Sequence, residues 1–253
     1  MRILVANDDG IDAPGIKALV NALYQLGDIY VAAPAEEQTA KGHSMTFANT
    51  IRAKEVNFPH TVKAYKIWGT PKDCVDVALD AILDFTPDLI VTGINRGPNV
   101  CNDCVSSGTV GAATAGFLKG IASIATSLDY GPEFNYDYYG EYIRDIVTWF
   151  AKQDFNKRFM LNVNLPNTGE VNGIVVATTG GKRTYPGSYH KEERDGYIYF
   201  KYPFDQPVLT EMIKDLNHDL YALQNGYITI QPMDYDLVQQ TSVEFLREQW
   251  NKR

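Results

Sequence analysis

The chain is short of cysteine, of positive charge and of long apolar runs, and each shortage removes a class of protein. Three cysteines in 253 residues are too few and odd in number for a disulfide framework, and they suit a reducing compartment. Cys101 and Cys104 form a C-x₂-C pair, the opening half of a zinc or redox motif. No second pair follows and Cys74 is distant, so zinc is set aside. Lys and Arg number 23 against 31 Asp and Glu, a formal charge of −8. That balance repels a phosphate backbone and argues against a nucleic-acid polymer as partner. A small anionic substrate would then need a locally positive site. The most apolar stretch, Gly111 to Leu128, is interrupted by Lys119 and small polar residues, so no membrane span is expected. The first residues are a brief apolar run followed by acids, unlike a signal peptide, and a cytoplasmic protein is expected.

What is present begins with RILVANDDGIDAPG, Arg2 to Gly15. Arg2 to Ala6 reads as a short buried strand. Asp8 and Asp9 stand at its carboxyl end, and Gly10 permits a sharp turn that lets neighbouring side chains face one point. Two carboxylates held so close repel unless a proton or cation is shared between them, and a hard divalent ion suits oxygen ligands. A plain turn or helix cap uses the same residues, and on this stretch alone the two readings stand level.

Pro14 to Tyr24 has helical spacing of Ile16, Leu19, Val20 and Leu23, and Asp28 to Ala33 is the next strand, which together make a parallel βαβ unit. A polar loop, Ala35 to Ser44, leaves that strand. Thr46 to Glu55 and Val62 to Trp68 read as strands around a turn. Gly69 to Cys74 starts a helix, with Thr70 as cap, Pro71 at the first position and Asp73 at the third. Asp88 to Thr92 is another strand, Gly93 to Ser107 a loop, Gly108 to Leu118 a helix and Ala122 to Ser127 a strand. Further on the spacing predicts a helix over Glu141 to Phe150 and strands over Met160 to Leu165 and Gly173 to Ala177. A protruding hairpin arm with a strand at Tyr197 to Tyr202 follows, then a helix over Leu209 to Leu223, a strand at Tyr227 to Gln231 and a helix at Val243 to Trp250. The order defines an α/β fold with a doubly wound, mostly parallel sheet. Aromatic residues on the arm need another surface to bury them, and a sister subunit is the simplest one.

Ligands of such sheets bind beyond the carboxyl ends of the strands. The loops there carry Asp8 and Asp9, Thr39, Asn95, and the run Ser106 to Thr109 entering a helix amino terminus, where backbone donors hold anions. Two carboxylates, a hydroxyl and an amide carbonyl form the oxygen-only shell of Mg²⁺ or Mn²⁺, not of zinc. An anion pocket beside such an ion is what phosphoester hydrolysis requires. His43 could protonate a leaving alcohol, although a loop-organising hydrogen bond is the plainer role. The tyrosines between Tyr130 and Tyr142 could stack on a base, although covering core or interface is more usual.

Five spaced motifs now carry a resemblance: NDDGIDAPGI at Asn7 to Ile16, GHS at Gly42 to Ser44, GTPKDC at Gly69 to Cys74, GINRGPN at Gly93 to Asn99 and SGTVGAA at Ser107 to Ala113. Together with DLYALQNGYITIQP at Asp219 to Pro232 they resemble the SurE family of metal-dependent 5′/3′-nucleotidases, the survival-protein phosphatases. The resemblance implies one Rossmann-like three-layer sandwich over residues 1–253, with a core of about 1–128, 141–180 and 209–235 and an oligomerisation arm of about 181–208. It implies a homodimer or homotetramer that hydrolyses nucleoside 5′- and 3′-monophosphates, with one Mg²⁺ or Mn²⁺ per subunit. Its metal ligands fall on Asp8, Asp9, Thr39 and Asn95, with Asp8 and Asp9 catalytic. Its phosphate-binding segment falls on Asn99, Ser107, Gly108 and Thr109. Thr39 stands where serine is more typical, Asp12 where His or Asn is, Lys41 where a small residue is, and Ser106 where a tyrosine is common. Two readings of other classes compete: a Mg²⁺-binding receiver-like signalling module, which needs about half this length, and a covalent-aspartate sugar phosphatase.

Overall fold

The computed structural model describes residues 1–185, 189–202, 209–235 and 240–251. Parts of the expected arm, 186–188 and 203–208, lie outside the described residues.

The first apolar run forms strand β1 (Arg2–Ala6), followed by α1 (Pro14–Leu23) and β2 (Asp28–Pro34). β1 and β2 are parallel, with Ile3 opposite Ile29. Both faces of β1 are apolar. Ile3 and Val5 join one cluster with Ile16 and Leu19 of α1, whereas Leu4 and Ala6 join another with Cys74, Val75 and Ala112. A strand that buries both faces has to lie inside a sheet covered on two sides. Each fully buried aliphatic side chain there stabilises the fold by roughly 1.5–3 kcal/mol.

The remaining elements are β3 (Arg52–Val56), β4 (Lys63–Trp68), α2 (Pro71–Val77), β5 (Leu89–Arg96), α3 (Gly108–Leu118), β6 (Ala122–Leu128), α4 (Gly140–Ala151), β7 (Met160–Leu165), β8 (Gly173–Val176), β9 (Gly181–Thr184), β10 (His190–Arg194), β11 (Tyr197–Lys201), β12 (Leu209–Met212), α5 (Asp219–Gln224), β13 (Tyr227–Met233) and α6 (Gln240–Asn251). Nine strands form one sheet in the order β3-β4-β2-β1-β5-β6-β7-β13-β8. From β4 to β7 every pairing is parallel, while β3 and β13 run antiparallel to β4 and β7. Helices α1 and α4 cover one face, and α2 and α3 the other. The architecture is therefore a Rossmann-like three-layer α/β sandwich. Leaving β1, the chain first builds outward through β2 and β4, then returns to place β5 on the opposite side. The switch point between β1 and β5 opens a crevice at their carboxyl ends.

Several boundaries differ from the sequence reading. The expected helix over Leu209 to Leu223 is a strand, Leu209–Met212, paired antiparallel with Gly181–Thr184, and a helix only from Asp219 to Gln224. Pairing satisfies the backbone of the first segment, so helical spacing there is overridden. The buried Asp219 carboxylate opens the later helix while accepting from the N–H groups of Gly180, Cys101 and Leu220, each at 2.7 Å. The stretch expected to hold one arm strand holds three, since β10 pairs with β11 and β9 with β12. The first strand of the early hairpin starts at Arg52 rather than Thr46, because Thr46 is drawn away to the start of α2. There its N–H and hydroxyl donate to Asp73 at 2.9 and 2.7 Å.

That helix start has the expected cap in reciprocal form. The Thr70 hydroxyl accepts from the Asp73 N–H, and the Asp73 carboxylate accepts from the Thr70 N–H at 2.9 Å. Burial pushes the Asp73 pKa up, but the hydrogen bonds from Thr46 and Thr70 outweigh it and hold the carboxyl below its usual value. Asp73→Ala is expected to cost about 1–2 kcal/mol, read as a lower urea midpoint. A depressed folded pKa contributes stability above the unfolded value and loses it as the pH falls through the folded one. The gap between wild type and variant should therefore close below about pH 3.9.

Candidate active site

The carboxyl edge of the sheet brings three chain segments to the switch point: the turn after β1, the loop after β2 and the end of β5. Asp8 is only 4% exposed. Its Oδ1 accepts the Thr109 hydroxyl, and the Thr109 backbone N–H donates to the same carboxylate. Asp9 is partly exposed, and its Oδ2 accepts from the Arg96 N–H at 3.1 Å. Burial, and then the charge of Asp9, push the Asp8 pKa up to about 7; burial pushes Asp9 up as well. Among the described residues, neither acid belongs to an ion pair.

Gly108 explains how α3 comes so near. A Cβ at that position would lie 2.7 Å from the Asp8 Cβ and 2.8 Å from its Oδ2, so only a glycine lets the helix start rest on the carboxylate. The Ser107 hydroxyl oxygen caps the same helix, accepting from the Val110 N–H at 3.1 Å. The Thr39 hydroxyl donates to Glu37 at 2.6 Å, which leaves its lone pairs available. The Asn95 amide nitrogen donates to the Gly97 carbonyl at 2.7 Å, which leaves its oxygen as an acceptor. Asn95 lies on β5 itself, not in a loop: the strand runs to Arg96, and its register against β6 slips between Thr92 and Asn95. Such an irregularity re-aims a side chain away from simple alternation.

A cleft of about 490 Å³ gathers Asp8, Thr39, Asn95, Asn99 and Ser107 along its lining. Asp9 lines an adjoining hollow of about 390 Å³, and Arg96 borders both. Gly108 and Thr109 lie buried beneath the cleft against Asp8. Thr109 thus spends its donors on the carboxylate, a role spacing could not reveal. Asn99 is the hub of the loop. Its N–H donates to Asn164, its amide to Ser127, and its carbonyl accepts from Asn162, Asn164 and the Cys104 thiol.

The residues of doubtful role also fall into place. His43 is absent from the cleft lining, and its Nε2 is bonded to the Tyr235 and Thr114 hydroxyls. Burial and then Lys72 lower its pKa, so it is a neutral organiser of the loop carrying Thr39. All three cysteines are free and buried. Burial, and then Asp219, push the thiols of Cys101 and Cys104 up to about 12, which suppresses the thiolate that metal binding or redox exchange uses. Asp12 turns to solvent and pairs with Lys66 at 2.7 Å, whereas Ser106 does line the cleft. Sequence reasoning missed Asp103, Arg183, Tyr185 and Tyr202, which also line it. The one available signal was the spacing of Arg183 and Tyr185, two apart at the end of β9.

The donor set suits a hard cation. The buried Asp8, the partly exposed Asp9, a hydroxyl and an amide oxygen make an oxygen-only set of the kind that holds hard divalent cations. The buried Asn7 oxygen beside the pair also has no hydrogen-bond partner.

Fold and site together define a Rossmann-like α/β protein with a cluster of oxygen donors at its switch point. Residues 3–186 match the family described as survival protein SurE. Among curated proteins, a 5′-nucleotidase SurE of Pelotomaculum thermopropionicum is 37% identical over 98% of this chain and 95% of its own length. That of Chlorobium limicola is 34% identical over 99% and 96%. The crystal structure of the SurE protein from Aquifex aeolicus superposes with a TM-score of 0.79 at 32% identity, covering 98% of this chain and all of that one. The chain belongs to the SurE family.

Gly108→Ala tests the close approach. The helix tolerates alanine, but the added carbon displaces the Asp8 carboxylate, and Mn²⁺ affinity measured by calorimetry is expected to fall about tenfold or more, by analogy with other perturbed ligand supports.

Proposed function

We propose that the chain is a divalent-cation-dependent nucleotidase, hydrolysing nucleoside 5′- and 3′-monophosphates to nucleoside and phosphate. The observation that supports it most is the single cleft joining Asp8, Thr39, Asn95 and Ser107 in a chain whose curated relatives carry the name 5′-nucleotidase. One Mg²⁺ or Mn²⁺ per subunit would be held by Asp8, Asp9, Thr39 and Asn95. Such an ion neutralises phosphoryl charge and acidifies water.

The chain's own groups do the rest. The Ser107 hydroxyl and the Gly108 N–H at the amino end of α3 bind phosphoryl oxygens, with the helix dipole behind them. Asn99 shapes the floor. Asp8 and Asp9 form the catalytic pair, orienting water for in-line attack at phosphorus and accepting its proton, which passes to the nucleoside oxygen as the bond from that oxygen to phosphorus breaks. Thr109 keeps Asp8 in place. The Thr109 hydroxyl on Asp8 Oδ1 disfavours attack by that oxygen on phosphorus, which weighs against a covalent-aspartate phosphatase, and a chain about twice the length of a receiver module weighs against that reading.

The exposed side chains of Tyr197, Ile198 and Phe200 on β11, and of Phe245, Leu246 and Trp250 on α6, call for burial, and a homodimer or homotetramer of this chain supplies it. No helix among the described residues is long and apolar enough to cross a membrane, and the cytoplasm is the proposed compartment.

A panel of phosphomonoesters assayed with chelator, and after restoring Mg²⁺, Mn²⁺ or Zn²⁺, tests this reading. Activity should vanish with chelator, return with Mg²⁺ or Mn²⁺, and be highest on nucleotides. Asp9→Asn should abolish turnover while the circular dichroism spectrum is kept; near-normal turnover with Mn²⁺ would refute the assignment.

A further inference from the structure

The far wall of the cleft is not made by the sheet edge. It is made by Tyr130, in the segment after β6, and by Arg183, Tyr185 and Tyr202, at the base of the arm. Tyr130 and Tyr185 are 62% and 50% exposed, large rings left open on the wall of a concave site. Each is held by something specific. The Tyr130 ring lies against Gly97, where a Cβ would come within 2.6 Å of it. The Tyr185 hydroxyl donates to Asp103 Oδ2 at 3.0 Å, and its carbonyl accepts from the Tyr202 hydroxyl at 2.8 Å.

Beneath Tyr185 lies a strut. Arg183 Nη1 donates to the same Asp103 oxygen at 2.7 Å, with side-chain exposures of only 11% and 10%. Its backbone N–H and carbonyl pair with the Asn102 side chain at 2.8 and 3.0 Å. The guanidinium carbon stands 5.9 Å from the centre of the Tyr185 ring. Asn102 and Asp103 belong to the short turn Cys101–Val105 that leads into α3. The arm is therefore bolted to the loop that carries Asn99 and Ser107, and the bolt fixes a ring at a set place relative to the phosphate end of the cleft.

From this arrangement we infer that Tyr130 and Tyr185 are the nucleobase-recognition wall, stacking on the base of a nucleotide whose phosphate lies at Ser107, and that Arg183 is a positioning residue holding Tyr185 through Asp103. The inference rests on the nucleotidase reading and deepens it. Open aromatic rings accept any base by its π-face. The wall thus discriminates nucleotides from bare sugar phosphates more than one base from another.

The test compares adenosine 5′-monophosphate with ribose 5-phosphate, which lacks only the base, on the metal-loaded full chain. Two readouts are taken: the ratio of kcat/KM values and the ratio of calorimetric Kd values. Wild type should prefer the nucleotide. Tyr185→Ala and Tyr130→Ala should each lower both ratios about tenfold, the stacking contribution of one base, mainly through KM. Tyr185→Phe, which keeps the ring, should stay within a few-fold of wild type. Arg183→Gln should lower the ratios while Arg183→Lys, which keeps the ion pair, restores most of the preference. Ratios unchanged in both tyrosine-to-alanine variants would overturn the inference. A wild type that hydrolyses neither compound would defeat the nucleotidase reading instead, and the Kd ratio would still decide whether the wall holds a base.

Discussion

Everything at the carboxyl edge of this sheet answers to the repulsion between two adjacent acids that have lost much of their water. A carboxylate is costly to bury unpaired, and Asp8 sits beside a second acid with no basic side chain among the described residues in ion-pair contact. The surroundings supply neutral donors instead: Thr109 gives Asp8 both its hydroxyl and its N–H, and Arg96 gives Asp9 its backbone N–H rather than its guanidinium. Neutral donors soften the charge without cancelling it. Burial, and then the charge of Asp9, still hold the Asp8 pKa up at about 7, and a divalent cation is the natural complement.

The fold makes that concentration of charge mechanically possible. The switch point between β1 and β5 sets two strand ends side by side, and α3 can close on them because Gly108 has no side chain. The third segment is pinned from several directions. The Gln38 N–H donates to the Asp8 carbonyl at 2.7 Å, Gly42 to the Ser106 carbonyl at 2.9 Å, and His43 ties the same loop to Tyr235 and to Thr114 on α3. The loop bearing Thr39 is thus fixed to both the acid turn and the helix that follows the Asn99 hub. Support of this sort is what would let a hydroxyl and an amide, each a weak ligand alone, act together in the proposed cation site.

Residues whose role follows from local patterning were legible in the sequence. The β1 run, the α1 spacing, the Thr70 to Asp73 cap and the α3 start at Gly108 all depend on neighbours within a few positions. Asn95 was named as a strand-end residue, but its place beyond a register slip in β5 depends on how β6 pairs, which no local signal records. Leu209 to Met212 carried helical spacing and became a strand because a partner 25 or more positions earlier claimed its backbone. Among the tyrosines of the segment after β6, Tyr136 and Tyr139 are buried as the plain reading held, whereas Tyr130 is open on the cleft. Composition cannot separate them; the separation comes from Gly97 and from the arm, both remote in sequence or visible only in three dimensions.

The shortage of positive charge noted at the outset returns as a constraint on the cleft. Its basic side chains are Arg96 and Arg183, and Arg183 is spent on Asp103. Arg96 lies over the Phe134 ring at 5.2 Å, toward the neighbouring hollow. A chain of net charge −8 therefore cannot draw an anion to this site by its own side chains. On the proposed reading the attraction comes from the amino end of α3 and from the cation held beside it. Both act over short range, since at physiological salt the screening length is about 8 Å. Such a site ignores distant polyanions and holds a small phosphate only once it has entered. That is the selectivity expected of a cleft that runs from Asp8 and the start of α3 at one end to the rings of Tyr130 and Tyr185 at the other.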